Sequence, residues 1–176
     1  MYKNPTYKTT SKQPRKTESM DNNSNKFDIR NGRFEQYLGN GKEPEPAKYV
    51  SGRLKRISLR THQKGQIVYN FMDIYVEKDG KEICISGLYP SSVMSEMISH
   101  LVNVQDTSSE LKLSVWQAGK YVNCSVWERG HVVAHSNLPK VSKTKKGGTI
   151  QVDTSARDAV VLEYVKRINR KLGISA

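Results

Sequence analysis

The chain reads as mainly β, with one helix set between its third and fourth strands. Three observations in residues 49–139 predict this. Five runs alternate apolar and polar side chains with the period of two that a half-buried strand imposes. One stretch instead repeats Met94, Met97, Ile98 and Leu101 at helical spacing. Turns rich in glycine, proline or serine separate the runs. The order strand–strand–strand–helix–strand–strand predicts a closed five-stranded barrel over 49–139. A basic, largely disordered extension is expected over 1–48, and a basic linker with an amphipathic helix over 140–176.

Residues 1–26 hold almost no aliphatic side chains and cannot offset the entropy of ordering, so they are expected to be disordered. Phe27, Ile29, Phe34, Tyr37 and Leu38 can dock as a short strand or a turn of helix. Gly39, Asn40 and Gly41 then break that segment, and Glu43 to Pro46 runs on as an extended linker. In the first strand, 50–61, Val50, Gly52 and Leu54 share one parity and Ile57 and Leu59 the other. A one-residue slip beside a glycine predicts a bulge in a coiled strand that serves both ends of a barrel. Residues 62–65 are its turn. The second strand, 66–77, turns inward Val68, Met72, Ile74 and Val76, and Asp79-Gly80 is a hairpin signal. The third, 81–88, turns inward Ile83 and Ile85.

Pro90, Ser91 and Ser92 open the helix, with serine as the cap. Its polar Ser95, Glu96, Ser99 and His100 predict a one-sided plug for a barrel end. After a loop at 106–109, Leu111, Leu113 and Val115 alternate with Lys112, Ser114 and Trp116 in the fourth strand. After a turn at 118–120, Val122, Cys124 and Val126 alternate with Tyr121, Asn123, Ser125 and Trp127 in the fifth. Residues 131–135 extend that strand or add a sixth. Residues 140–149 read as a flexible basic linker. A second helix over 155–172 is marked by a capping box of Ser155 and Asp158, by a stop at Gly173, and by an apolar stripe of Val161, Val165, Ile168 and Leu172.

The formal net charge is +12, from 29 basic and 17 acidic side chains. Residues 1–48 carry +4, 49–139 only +2, and 140–176 carry +6. A nearly neutral domain between basic arms suits a polyphosphate partner, whose condensed counterions are released on binding. Cys84 and Cys124 sit in apolar strand runs and read as buried thiols in a reducing compartment. No apolar run is long enough to cross a bilayer, and no apolar segment follows the first lysines, so no secretory signal is read. The expected location is cytoplasmic, or the host cytoplasm for a viral chain, with no membrane partner.

Candidate binding residues follow from parity. Tyr69, Phe71 and Tyr75 oppose the inward residues of the second strand and are expected on the outer surface, with Ile67 and Asp73. Lys112, Trp116, Tyr121 and Trp127 share the outer face of the last two strands with Ser114, Asn123 and Ser125, Trp116 lying across from Tyr121. Rings stack on bases, and such a mixture makes a poor core. Arg53, Lys55, Arg56 and Arg60 on the first strand, Lys64 in its loop, and Lys112 are expected to meet phosphates. Chemistry is absent. His62, His100, His131 and His135 have no metal-binding spacing, and the cysteines lack CxxC partners. Gly147-Gly148-Thr149 is not a phosphate loop, and Asp73, Glu77, Asp79 and Glu82 read as a solvated hairpin turn. We read a non-enzyme without cofactor or metal.

The element order, with Val50 to Leu54 opening the first strand, Tyr69-Asn70-Phe71 in the second, and Leu113 to Trp116 before a glycine turn, resembles an OB-fold. In particular it is similar to the DNA-binding domain of bacterial and phage single-stranded DNA-binding proteins. The resemblance covers about half the chain and implies a non-catalytic protein that coats or protects single-stranded DNA in replication or recombination, with low sequence specificity. It departs at the end: those proteins carry an acidic tip that recruits partners, whereas this chain ends in a basic helix and Gly173 to Ala176. Two alternatives stand beside it. One is a basic structural or virion-associated protein whose C-terminal helix docks a partner or a second copy. The other is an RNA-binding OB module.

Overall fold

The computed structural model describes residues 25–36, 38 and 45–175. The disordered tail expected over 1–26 lies outside these residues except for its last two. So do Tyr37 and the break at Gly39 to Gly41.

The chain enters through three short strands, β1 (Lys26–Arg30), β2 (Arg33–Gln36) and β3 (Glu45–Ala47). Phe27, Ile29 and Phe34 therefore lie in strands and not in a turn of helix, and Phe34 on β2 is fully buried. Next comes β4 (Tyr49–Lys64), the strand that organises the sheet. Tyr49 to Arg53 pair with β7 (Glu110–Ala118), and Arg53 to Lys64 pair with β5 (Ile67–Lys78). The register shifts between Leu54 and Arg56, where Lys55 is the extra residue. The bulge read from the parity slip is thus the point where one strand changes partner. β4 runs to Lys64, past the expected turn at 62–65, and Gly65 with Gln66 closes the hairpin.

β6 (Lys81–Leu88) pairs with β5, and β8 (Tyr121–Glu128) pairs with β7. β9 (His131–Val132) is a separate two-residue strand paired antiparallel with β8, after which the chain leaves along the first helix, Ser136 N–H donating to Ser99 O at 2.8 Å. The strand order is β3-β2-β1-β6-β5-β4-β7-β8-β9, an open sheet. The closed five-stranded barrel is corrected on this point. The outer edge of β6 does not meet β8 but is taken by β1, in parallel. The N-terminal hairpin instead reaches toward β7: a Cβ on Gly32 would clash with the Gln117 backbone nitrogen, and Gly32 has φ +69°.

Met72, Ile74, Val76, Ile85, Leu111, Leu113 and Val126 line the inner face of the curved sheet and are buried, as alternation predicts. Val68 departs from its expected place. The β4–β5 hairpin extends beyond β6, so Val68 is exposed although it shares the inward parity. Leu59, on the same parity, is also exposed.

Helix α1 (Ser92–Leu101) is capped by Ser91, whose side chain accepts from Met94 N–H. It packs against β8 and is buried nearly all round, not on one side. Its polar residues are satisfied locally: Ser95 Oγ donates to Ser91 O, Ser99 Oγ to Glu96 O, and His100 Nδ1 lies 2.7 Å from Val133 O. Residues 140–149, expected as a flexible linker, contribute instead to a separate antiparallel hairpin of β10 (Ser142–Lys146) and β11 (Thr149–Asp153).

Helix α2 (Ser155–Lys171) begins one residue earlier in its capping than expected. Thr154 is the N-cap and donates its hydroxyl to Asp158 at 2.7 Å. Gly173 ends the helix with φ +74°, the Ile174 N–H donating to Asn169 O and Gly173 N–H to Arg170 O. Val161, Val165 and Ile168 are buried against the chain's own core, with α2 lying on α1 and β4. Asn169 also covers a sheet edge. Its amide donates to Ile57 O at 2.9 Å and accepts from Ile57 N–H at 3.0 Å, supplying the partner that β7 no longer gives beyond Arg53.

Candidate nucleic-acid interface

The outer face of the sheet divides into two halves with different chemistry. On the β4–β5–β6 half, cross-strand pairing sets Arg60 opposite Phe71 and Arg56 opposite Tyr75. Each guanidinium lies on the ring it faces. Arg56 Cζ is 3.7 Å from the Tyr75 centroid and Arg60 Cζ 4.5 Å from that of Phe71. Both cations are also held by acids. Arg56 forms two hydrogen bonds to Glu82, at 2.6 and 3.0 Å. Arg60 Nε donates to Asp73 Oδ2 at 2.9 Å, and Ser86 Oγ donates to Asp73 Oδ1 at 2.6 Å.

These pairs raise the pKa of both arginines, chiefly through hydrogen bonds to Glu82 and Asp73 respectively. Burial raises the pKa of the Tyr75 phenol and pushes the Cys84 thiol up to about 11. Asp73 is 2% exposed, so it belongs to this paired layer and not to a solvated turn. Arg53 and Lys55 both pair with Glu77, at 2.7 and 3.4 Å, and hold its carboxyl below the usual range. Tyr69 is half-buried on the protruding hairpin, and Lys64 at its tip forms no ion pair among the described residues. Of the residues expected to stack or to meet phosphate here, Phe71 and Tyr75 are covered. Arg53, Lys55, Arg56 and Arg60 are already neutralised.

The β4–β7–β8 half is open. Lys112, Ser114, Trp116, Tyr121, Asn123, Ser125 and Trp127 share one face, because Leu111, Leu113, Val115, Cys124 and Val126 of the other parity fill the core. Trp116 is 44% exposed, Tyr121 62% and Trp127 36%. Trp116 stands opposite Asn123, and Tyr121 opposite Ala118, so the two rings are diagonal neighbours and not directly across. The Trp127 indole N–H donates to Ser125 Oγ at 3.0 Å, which orients that ring without covering it.

Parity reasoning missed three residues that complete this face. Tyr49 opens β4 opposite Ser114 and is 53% exposed. Lys112 Nζ lies 4.5 Å from its ring centroid, and Lys120 Nζ lies 5.3 Å from that of Tyr121. Neither lysine, nor Lys48 beside Tyr49, forms an ion pair among the described residues. The signal was present in the adjacent Lys48 and Tyr49 at the head of a strand, and in Lys120 directly before Tyr121. A hollow of about 850 Å³ adjoins the face, lined by Arg33 and Gly32 of the N-terminal hairpin and by Lys48, Tyr49, Lys112 and Trp116. Its size suits a group as large as a nucleotide.

Cys84 and Cys124 are free thiols, and no cluster of metal-binding side chains occurs among the described residues. No described helix is long and apolar enough to cross a membrane. No protein family, curated protein or solved structure matches the chain.

Proposed function

We propose that the protein is a non-catalytic binder of single-stranded DNA on an opened OB-type sheet, coating or protecting strands during replication or recombination. The five expected strands lie in the order β6-β5-β4-β7-β8, with a coiled first strand shared between neighbours and a helix between the third and fourth, which supports the OB-type reading. One observation carries the function: Tyr49, Trp116, Tyr121 and Trp127 are exposed on one face, beside lysines that form no ion pair among the described residues. Six residue steps along β8 separate Tyr121 from Trp127, about 20 Å at strand rise. That is room for several nucleotides, within the roughly 4–16 that such folds occupy.

Bases stack on the rings by their faces, so the reading entails little sequence preference. Lys48, Lys112 and Lys120 track the phosphates and make affinity fall with salt. The apolar stripe of α2, which motivated a partner-docking role, is already buried against the chain's own core. Titration with oligo(dT) tests the proposal. Tryptophan fluorescence is expected to be quenched at low salt and restored by added salt. Absence of quenching, or quenching indifferent to salt, would exclude this face as a single-strand platform. Competition with the matched RNA oligomer reports which sugar is preferred.

A further inference from the structure

The β10–β11 hairpin is a second basic element with no role in the site above. All ten residues of its strands are exposed. A lone two-stranded hairpin is marginal in water, because nothing buries either face. Its turn is nonetheless well specified, with Gly147 at φ +58° and Gly148 at φ +83° between the strands. The register sets Lys143 opposite Val152 and Lys145 opposite Ile150, so one face alternates cations with exposed aliphatic groups. The other face carries Ser142, Thr144, Lys146, Thr149, Gln151 and Asp153. No acid interrupts the lysines from Lys140 to Lys146, and none of them forms an ion pair among the described residues. The nearest carboxylate, Asp153, accepts from Ser155 N–H at the start of α2.

We propose that this hairpin is a ribbon that enters the major groove of duplex nucleic acid. Three features choose that occupant. Uncompensated lysines call for a polyanion. The segment has no ring on which an unpaired base could stack, unlike the β7–β8 face, so it is unsuited to single strands. Two aliphatic side chains without an aromatic residue are a weak lipid anchor. A two-stranded ribbon fits a groove about 12 Å wide, and five residues of strand span about 17 Å, near half a turn of duplex. In that position lysines reach the phosphates along the groove walls. The hydroxyl and amide groups of Ser142, Thr144, Thr149 and Gln151 face base edges, and Ile150 and Val152 lie on the opposite, outward face.

The proposal goes beyond the single-strand reading and is tested apart from it. The full chain and a K143Q/K145Q/K146Q variant are titrated against a short blunt duplex, oligo(dT), and phosphatidylserine vesicles, by anisotropy and by flotation. Every strand residue of the hairpin is exposed, so the variant is expected to melt as the parent does. Expected for the duplex is a loss of at least about tenfold in affinity at low salt. The slope of log K against log salt is expected to fall by about 2 to 3, one counterion step for each phosphate contact removed. Binding of oligo(dT) changes less than about twofold, since these lysines lie outside the ring face. Equal losses on duplex and oligo(dT) would reduce the hairpin to diffuse attraction and overturn the proposal. So would unchanged duplex binding, or vesicle binding that exceeds duplex binding and is lost in the variant.

Discussion

Replacing Trp116 and Tyr75 separately by leucine distinguishes an open ring from a covered one. Both side chains are on the outer surface, and parity alone ranks them equally. Stacking of a base on an accessible ring contributes about 1–3 kcal/mol. Trp116 is 44% exposed, with no cation on its face among the described residues, and can make that contact. Losing it weakens binding about 5- to 140-fold, at 1.4 kcal/mol per decade.

Tyr75 differs because Arg56 already occupies the stacking layer 3.7 Å from its ring. A base must displace the guanidinium, at a cost of about 0.5–1 kcal/mol for the exposed cation–π contact. Disturbing the Glu82 pair adds about 0.2–1 kcal/mol, a small value because both partners are over a third exposed. Mid-range figures leave a net gain of about 0.7 kcal/mol, so Tyr75→Leu is expected to weaken binding only about threefold. Anisotropy of a labelled oligo(dT) measures both, with thermal melts to confirm folding. Should Tyr75→Leu lose as much affinity as Trp116→Leu, the path lies over β5 and the interface assigned here is misplaced.

Three further outcomes follow from the fold. Asn169→Ala leaves the Ile57 N–H and C=O unpaired beside the core and is expected to lower stability by about 1–3 kcal/mol, read as a lower urea midpoint at unchanged slope. Gly32→Ala forces a Cβ against the Gln117 backbone at positive φ, so it is expected to lower the melting temperature and weaken oligo(dT) binding at the adjoining hollow. With the Cys84 pKa raised by burial to about 11, an unfolded thiol ionises from about pH 9 while the folded one stays neutral. The parent is therefore expected to lose more stability than Cys84→Ser between those values, measured by urea midpoints across pH; identical pH profiles would count against the burial argument.

Local pattern made some of this structure legible. The parity slip between Leu54 and Ile57 located the bulge, because one extra residue flips every later side chain. The alternation of β7 and β8 identified their outer face residue by residue. The covering of Phe71 and Tyr75 was hidden by the placement of one turn. With the loop at Gly65 and Gln66, the ladder puts Arg60 opposite Phe71 and Arg56 opposite Tyr75; with it at 62–65, Arg56 would fall opposite Phe71, Arg60 opposite Ile67, and Tyr75 would lose its arginine. The β10–β11 hairpin was masked by composition. Its Gly147-Gly148 step is a two-residue hairpin signal, but the lysines around it read as linker. Pairing of β1 with β6 was out of reach, since parallel contact between segments some sixty residues apart leaves no periodic trace.

Charge allocation explains why the proposed interface falls on one half of the sheet. Residues 49–139 carry a net charge of only +2, which at first argues against a polyanion site in the folded domain. The ion pairs resolve this. Arg53, Lys55, Arg56, Arg60, Lys78 and Arg129 pair with Glu77, Glu82, Asp73, Glu110 and Asp106. Among the described residues, the cations left without a carboxylate in that span are Lys64, Lys81, Lys112 and Lys120. Two of these four lie on the ring-bearing face, against Tyr49 and Tyr121. Near-neutrality of the whole domain thus coexists with positive potential where the rings are bare. The same acids that balance the domain's charge silence the β4–β5 surface and leave β7–β8 as the half with both attraction and stacking to offer.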